Sequence, residues 1–171
     1  MRPSPGPRGD AAVWDVVRPS RPGRMPDVRM AGFGDRGRAG SGRRAMAHPS
    51  VTLVLDFGAG PLVVVVVGDA VGRRRRGGLV AGFNLGAVCV GGEGFEAVQV
   101  CLSPLVARGV LGVPPGDLGG GVVALGDLWG RRVGAVREQL AGASSWQERF
   151  ALVDGLLGCW RGTNRRRRIR R

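Results

Sequence analysis

Apolar residues change their spacing along the chain, and the change lies close to residue 103. Before it, short apolar runs separated by glycine-rich turns predict β-strands. The run over 62–67 is apolar at every position, which predicts a strand buried on both faces. The predicted strands cover residues 51–57, 62–67, 79–85, 87–90 and 95–102. Five or six short strands with turns between them favour an antiparallel sandwich or barrel.

A helix is predicted over 103–111, directly after the last strand. Ser103 is a good N-cap, because its hydroxyl can accept a hydrogen bond from a first-turn N–H group. Pro104 fits the first helical position, and Gly112 fits the end. The pattern therefore switches from strands to helices at this point of the sequence.

Two longer helices are predicted to follow. The first covers about 127–141 and is expected to be capped by Asp127. The second covers about 146–160 and begins at a capping box formed by Ser145 and Glu148. In that motif, each side chain is expected to satisfy a backbone N–H group of the other residue.

Large apolar residues on the last predicted helix follow a heptad spacing, which is typical of a helix packed along another helix. They are Trp146, Phe150, Val153, Leu157 and Trp160. The spacing fits packing against the chain's own barrel and fits a dimer contact equally well, so both alternatives stay open.

Several segments together resemble the N-terminal domain of AraC-type bacterial transcription regulators. They are the strand followed by the S-P-L helix start, L-G-V-P-P-G-D-L, V-V-A-L-G-D-L, 144–154, 48–58 and 80–83. The resemblance covers about residues 48–160. It implies a cupin-like β-barrel that binds a small-molecule effector, and helices that form a homodimer. It also implies a following domain with two helix-turn-helix units.

The fold class expected is therefore α+β: a cupin-like antiparallel β-barrel or sandwich followed by two or three helices, with disordered basic ends. Residues 1–47 are predicted to form a disordered Arg/Gly/Pro-rich arm, since no periodic pattern lasts there. The family's usual N-terminal strands are not evident in it, which favours a mis-assigned start or a frameshift. Residues 161–171 form an Arg-rich tail, where the resemblance predicts the DNA-binding domain to begin; a truncated regulator is expected.

Charge is concentrated at the two ends of the chain. The formal net charge is +13, of which 1–47 contribute +6, 48–160 contribute zero and 161–171 contribute +7. All basic residues are arginine, and lysine, an equally good phosphate partner, is absent. A GC-rich coding sequence explains this bias, so the charge alone does not indicate nucleic-acid binding.

No catalytic, cofactor or metal site is predicted. The single histidine, His48, lies at the domain edge without an evident cluster of partners. Glu93 and Glu96 flank a turn and are expected to be solvated, and the glycines at 119–121 lack a phosphate-loop lysine. Enzymatic activity is expected to be absent, and no cofactor is expected.

The compartment predicted from the sequence is the cytoplasm. Three cysteines without C-x-x-C spacing fit buried free thiols in a reducing environment. Neither a secretory signal nor a membrane-spanning segment is predicted.

The function that these patterns favour is the ligand-sensing and dimerisation domain of an AraC-type regulator without its own DNA-reading domain. The partners expected are an unidentified small-molecule effector and a second copy bound through the C-terminal helices. DNA is expected to be contacted only indirectly, or non-specifically by the Arg tail. The alternatives are a basic-tailed protein that binds nucleic acid non-specifically, and a non-functional gene fragment.

Overall fold

The computed structural model describes residues 14–35, 43–45, 50–66, 73–75, 77–82, 88–118 and 121–169. For 14, 35, 43–45, 65–66, 73–75, 88–90 and 161–169, it describes the backbone alone.

Within the described residues, the elements up to Leu102 are strands, and the elements after it are helices apart from one short strand. The strands are β1 (Trp14–Val17), β2 (Val28–Asp35), β3 (Arg43–Ala45), β4 (Val51–Asp56), β5 (Leu62–Val66), β6 (Arg73–Arg75), β7 (Leu79–Ala81), β8 (Val88–Gly91), β9 (Glu96–Leu102) and β10 (Val122–Ala124). The helices are α1 (Pro104–Leu111), a 3-10 helix (Pro115–Leu118), α2 (Leu125–Trp129), α3 (Arg132–Gly142) and α4 (Trp146–Ile169).

The strands form two antiparallel sheets. The larger sheet has six strands in the order β1-β2-β9-β4-β7-β10, and the smaller has four in the order β3-β8-β5-β6. Leu62 and Val64 of the smaller sheet pack with Val54 and Leu79 of the larger one, so the two sheets face each other. This arrangement, an antiparallel β-sandwich followed by helices, confirms the α+β class expected from the sequence.

The six-stranded sheet is the middle layer of the molecule. On β4, Val51, Leu53 and Leu55 alternate with Val54, and the first three pack in the core that faces the helices. All four are at most 7% exposed. Burying one such side chain is worth about 1.5–3 kcal/mol. The central strands are therefore stabilised from both faces.

The N-terminal region differs from the disordered arm predicted over 1–47. Within the described residues, β1 pairs with β2, and β2 pairs with β9 from Val28 to Gly34. The prediction is wrong for 14–35 and for β3, since these residues are strands and their connection. Glycines and Arg29 interrupt the apolar pattern of β2 and conceal it. Residues 1–13, 36–42 and 46–47 lie outside the described residues.

The connection between β1 and β2, residues 18–27, lies along α4. The backbone N–H and the hydroxyl of Ser20 donate to Oε1 of Gln147 at 2.9 and 3.0 Å. The backbone N–H of Arg24 donates to Asp154 at 3.0 Å, and its guanidinium lies 3.7 Å from the same carboxylate. Gln147 and Asp154 are seven residues apart, two helical turns on one face. We call 18–27 the strap.

The first helix agrees with its prediction. The hydroxyl of Ser103 accepts a hydrogen bond from the N–H group of Val106, and Pro104 occupies the first turn. Gly112 ends the helix with a φ of 77°, a conformation that favours glycine.

The segment predicted as one helix over 127–141 forms two helices, so the prediction of a single continuous helix is wrong. Gly130, with a φ of 59°, separates α2 from α3. The N-cap of α2 is Ala124, which makes no side-chain cap hydrogen bond, so Asp127 is not the cap. Asp127 lies instead in the first turn, where a carboxylate interacts favourably with the positive end of the helix dipole.

The last helix is longer than predicted, because α4 continues through the Arg-rich segment to Ile169. One half of the capping box forms, since the N–H group of Glu148 donates to the Ser145 hydroxyl at 3.2 Å. The Glu148 carboxylate accepts from the N–H and hydroxyl of Ser144 rather than from Ser145. These hydrogen bonds from Ser144 lower the pKa of Glu148.

The heptad residues of α4 are occupied by packing within the chain. Phe150, Val153 and Leu157 are at most 3% exposed and belong to the core shared with α1 and the six-stranded sheet. The homodimer itself stays a prediction. An aspartate at Phe150 would bury a charge in the chain's own core, so it cannot test dimerisation without unfolding the chain.

A further strand lies between the strands predicted over 62–67 and 79–85, where none is predicted. Residues 73–75 form β6, which pairs with β5 in the register Leu62↔Arg75 and Val64↔Arg73. Pairing with an apolar neighbouring strand supplies the backbone partners that the arginine run alone does not predict.

Two leucines test the placement of the core. We expect Leu157→Ala to lower the free energy of unfolding by about 2–5 kcal/mol, because Leu157 is 1% exposed. Leu105 is 89% exposed, so Leu105→Ala should change the free energy of unfolding by about 0.5 kcal/mol or less. Urea denaturation of both variants measures the difference, and equal effects would contradict this core.

Two glycines of β2 test whether the N-terminal strands belong to the domain. A Cβ atom at Gly32 would overlap the ring of Trp146 on α4, whereas one at Gly34 would lie 3.8 Å from that ring. We therefore expect Gly32→Ala to lower the melting temperature by several degrees and Gly34→Ala to leave it nearly unchanged. Thermal unfolding followed by circular dichroism measures both. If Gly32→Ala has no effect, β2 does not pack against α4.

Candidate ligand-binding site

The face of the six-stranded sheet that looks towards the smaller sheet carries the candidate site; we call it the inner face. Strand alternation places Arg29 on this face, because the next residue, Met30, packs against the helix-side core. The register aligns one row of residues across five strands. This mouth row is Arg29, Cys101, Thr52, Ala81 and Val122.

Burial increases along the inner face away from the mouth row. Arg29 is exposed, and the other four members of the row are half-buried. Two residues further along the strands, Val54 and Leu79 are 7% and 1% exposed. At the far end, Phe33 and Ala97 are 7% and 1% exposed. Among the described residues, the inner face is therefore more exposed at the mouth row, which we call the open end, than at the opposite end, which packing closes.

Polar groups are concentrated at the open end. The Gln99 amide donates to Sγ of Cys101 at 3.7 Å, a weak bond that places the two side chains together. Within the described ranges, Arg29 and Thr52 make no side-chain hydrogen bond or ion pair. A guanidinium, a hydroxyl and a carboxamide oxygen are thus available to a ligand at the mouth.

Small side chains lie next to these polar groups. The inner face carries Ala31, Ala81 and Ala124 beside the mouth, all half-buried. Beyond them lie larger apolar side chains that pack with the smaller sheet, namely Phe33, Leu62, Val64, Leu79 and Phe95. A polar rim above an apolar interior is typical of small-molecule sites.

The acidic residue of the inner face lies at the closed end. Asp56 is 1% exposed, and its Oδ1 accepts a hydrogen bond from the N–H group of Gly58 at 3.2 Å. The Arg137 guanidinium donates to the carbonyl of the same glycine. Asp56 lies four residues from Thr52 along β4, a separation of about 13 Å. Its charge is therefore remote from the mouth row.

On the helix side of the sheet, Arg149 forms a cluster with the end of α3 and two aromatic rings. Arg149 donates to the carbonyls of Leu140 and Ala143 at 3.0 and 3.1 Å, which satisfies the C-terminal end of α3. Its guanidinium also lies 4.7 Å from the ring centre of Phe57 and 5.0 Å from that of Trp146. Because its donors are used within the chain, this cluster is part of the packing.

The two glutamates that the sequence places beside a turn do not belong to the mouth row. Glu93 is exposed, whereas Glu96 is half-buried, on the opposite face from Ala97. His48 and residues 119–120 lie outside the described residues.

Arg29, Thr52 and Cys101 were missed because only the sheet register brings them together. Gln99 carried a signal, since it interrupts an otherwise apolar strand.

The described ranges hold neither a cluster of metal ligands nor a membrane-spanning helix. No group of three His, Cys, Asp or Glu residues there is placed to hold a metal ion. No helix there combines the length and the apolar character that crossing a bilayer requires. Cys101 is half-buried and Cys159 is exposed, and neither forms a disulfide, so the prediction of buried thiols is wrong for Cys159.

Comparisons with known proteins give one structural likeness. No protein-family profile and no curated protein matches the chain. A solved structure from Ralstonia eutropha JMP134, titled a "putative mannose-6-phosphate isomerase", matches with 14% sequence identity and a TM-score of 0.39. The match covers 52% of this chain and 85% of that one.

That title names an enzyme, which contradicts the prediction that enzymatic activity is absent. The prediction depended on the lack of a histidine cluster. Carboxylates, thiols and other side chains can also act as acids, bases or nucleophiles, so the lack of histidines does not exclude catalysis.

Proposed function

We propose that this chain is the ligand-sensing domain of an AraC-type transcription regulator, and that its effector binds between the two sheets at the mouth row. The observation that carries the proposal is the combination of half-buried polar residues with small neighbours at the open end of an otherwise closed apolar interior. The resemblance of 48–160 to AraC-type sensor domains supports the regulatory role. Two cysteines that form no disulfide, Cys101 and Cys159, fit a cytoplasmic regulator.

A ligand at this place is coupled to the helices through the central sheet. Thr52 and Val54 face the sandwich, while Leu53 between them packs with the core that contains α1 and α4. A shift of β4 on ligand binding would therefore be transmitted to helix packing, because a close-packed core does not deform continuously.

Methyl NMR tests the proposed position of the effector. We expect a member of a panel of monosaccharides, short fatty acids and cyclic carboxylic acids to shift the methyl signals of Thr52, Val54, Ala81 and Val122. The helix-side methyls of Val106 and Leu157 should shift much less. Shifts confined to α4, or none on the inner face with any member of the panel, would contradict the proposal.

A matched pair of variants makes this test specific. Ala81→Phe places a ring in the mouth row and should weaken binding of the active panel member at least about tenfold. Ala151→Phe adds the same ring at an exposed position of α4 and should leave affinity unchanged. Equal affinities for the two variants would place the ligand elsewhere.

Non-specific nucleic-acid binding is a second candidate function, favoured by the continuation of α4 to Ile169. The helix is anchored in the core at Leu157, and its backbone continues as one helix through the Arg-rich segment to Ile169. Residues 161–171 have a net charge of +7. Such a segment attracts phosphate independently of base sequence.

Salt titration tests this second function. We expect any affinity for random duplex DNA to fall steeply with salt, with a log–log slope of up to about −6 if all seven arginines contact phosphate. Replacing Arg165 to Arg168 with glutamine should reduce the slope by about four. The control variant, Arg18→Gln with Arg21→Gln, should keep most of the slope of the unmodified chain. Salt-independent binding, or a footprint on one specific sequence, would contradict the proposal.

A further inference from the structure

The mouth row carries a single formal charge, and its sign selects a class of ligand. Of the five residues in the row, Arg29 alone belongs to the charged residue types Arg, Lys, Asp and Glu. It lies directly opposite Cys101, and Cys101 lies directly opposite Thr52, so Arg29 and Thr52 are two strand spacings apart, about 10 Å. A long arginine side chain can extend across the small cysteine towards Thr52.

The donors at the mouth match a carboxylate. A guanidinium donates two parallel N–H bonds to the two oxygens of a carboxylate, and this bidentate geometry is specific for planar anions. The Thr52 hydroxyl can donate a further bond to the same group. Arg29 has no ion-pair partner among the described residues, so no internal carboxylate competes for it.

The rest of the inner face limits the remainder of the ligand. Among the residues whose side chains the structure describes, the acid on this face is Asp56, which lies about 13 Å from Thr52 along the strand, too far to repel an anion held at the mouth. Between them lie Val54, Leu79 and the small alanines, which offer apolar contact and no charge. A ligand that fills both regions has one anionic end and one apolar end.

We propose that the effector is a small monocarboxylate with a compact apolar body, its carboxylate held by Arg29 and Thr52 and its body lying against the half-buried Ala31, Ala81 and Val122. The inference rests on the proposed binding of an effector between the sheets. It deepens that proposal, because it specifies the chemical class of the effector.

The test compares two probes of nearly the same shape on the full chain, the anion cyclohexanecarboxylate and the neutral cyclohexanecarboxamide, which replaces one acceptor oxygen by an NH2 group. We expect the carboxylate to shift the Thr52 and Val54 methyl signals and to bind at least about tenfold more tightly than the amide. Arg29→Gln should abolish this preference, and Arg29→Lys should restore part of it. Arg108→Gln removes an exposed arginine from α1 and should have no effect.

The outcomes separate this inference from the proposed function. If both probes bind alike, or if Arg29→Gln keeps the preference while the inner-face methyls still shift, the carboxylate assignment is wrong and binding between the sheets stands. If neither probe shifts the inner-face methyls, the carboxylate assignment is wrong, and the wider panel decides the proposed function. Unchanged thermal unfolding of Arg29→Gln shows that loss of binding is not loss of fold.

Discussion

Burial of both faces of the six-stranded sheet is the constraint on which the structure depends. Leu53 and Val100 face the helices, while Val54 and Ala97 face the smaller sheet, and all four are at most 7% exposed. A shift of register by one residue would exchange the two faces of a strand. The register is therefore fixed, and with it the alignment of Arg29, Cys101 and Thr52 at the mouth.

The N-terminal strands complete this sheet and also contact the last helix. Gly32 approaches the ring of Trp146 closely, and the strap binds Gln147 and Asp154 two turns apart along α4. Residues far apart in the sequence thus close the domain. The same strands supply Arg29, so the segment that completes the core also provides the charge of the candidate site.

Elements that one local pattern specifies were predicted correctly from the sequence. Elements that depend on contacts with residues far away in the sequence were missed. Ser103 and Gly112 delimit α1 as expected, since capping is local chemistry. β2 was missed because it owes its stability to β9 and Trp146, and its glycines look unfavourable in isolation. The candidate site depends on cross-strand register, which alternation along one strand does not specify.

Hydrogen exchange of the β2 backbone tests the central claim most directly. If residues 28–35 belong to the domain, their hydrogen-bonded amides should exchange as slowly as those of β4 and β9 and open only with global unfolding. Rapid exchange of β2 beside protected β4 and β9 amides would contradict the account. The sheet would then end at β9, and Arg29 would not be held at the mouth row.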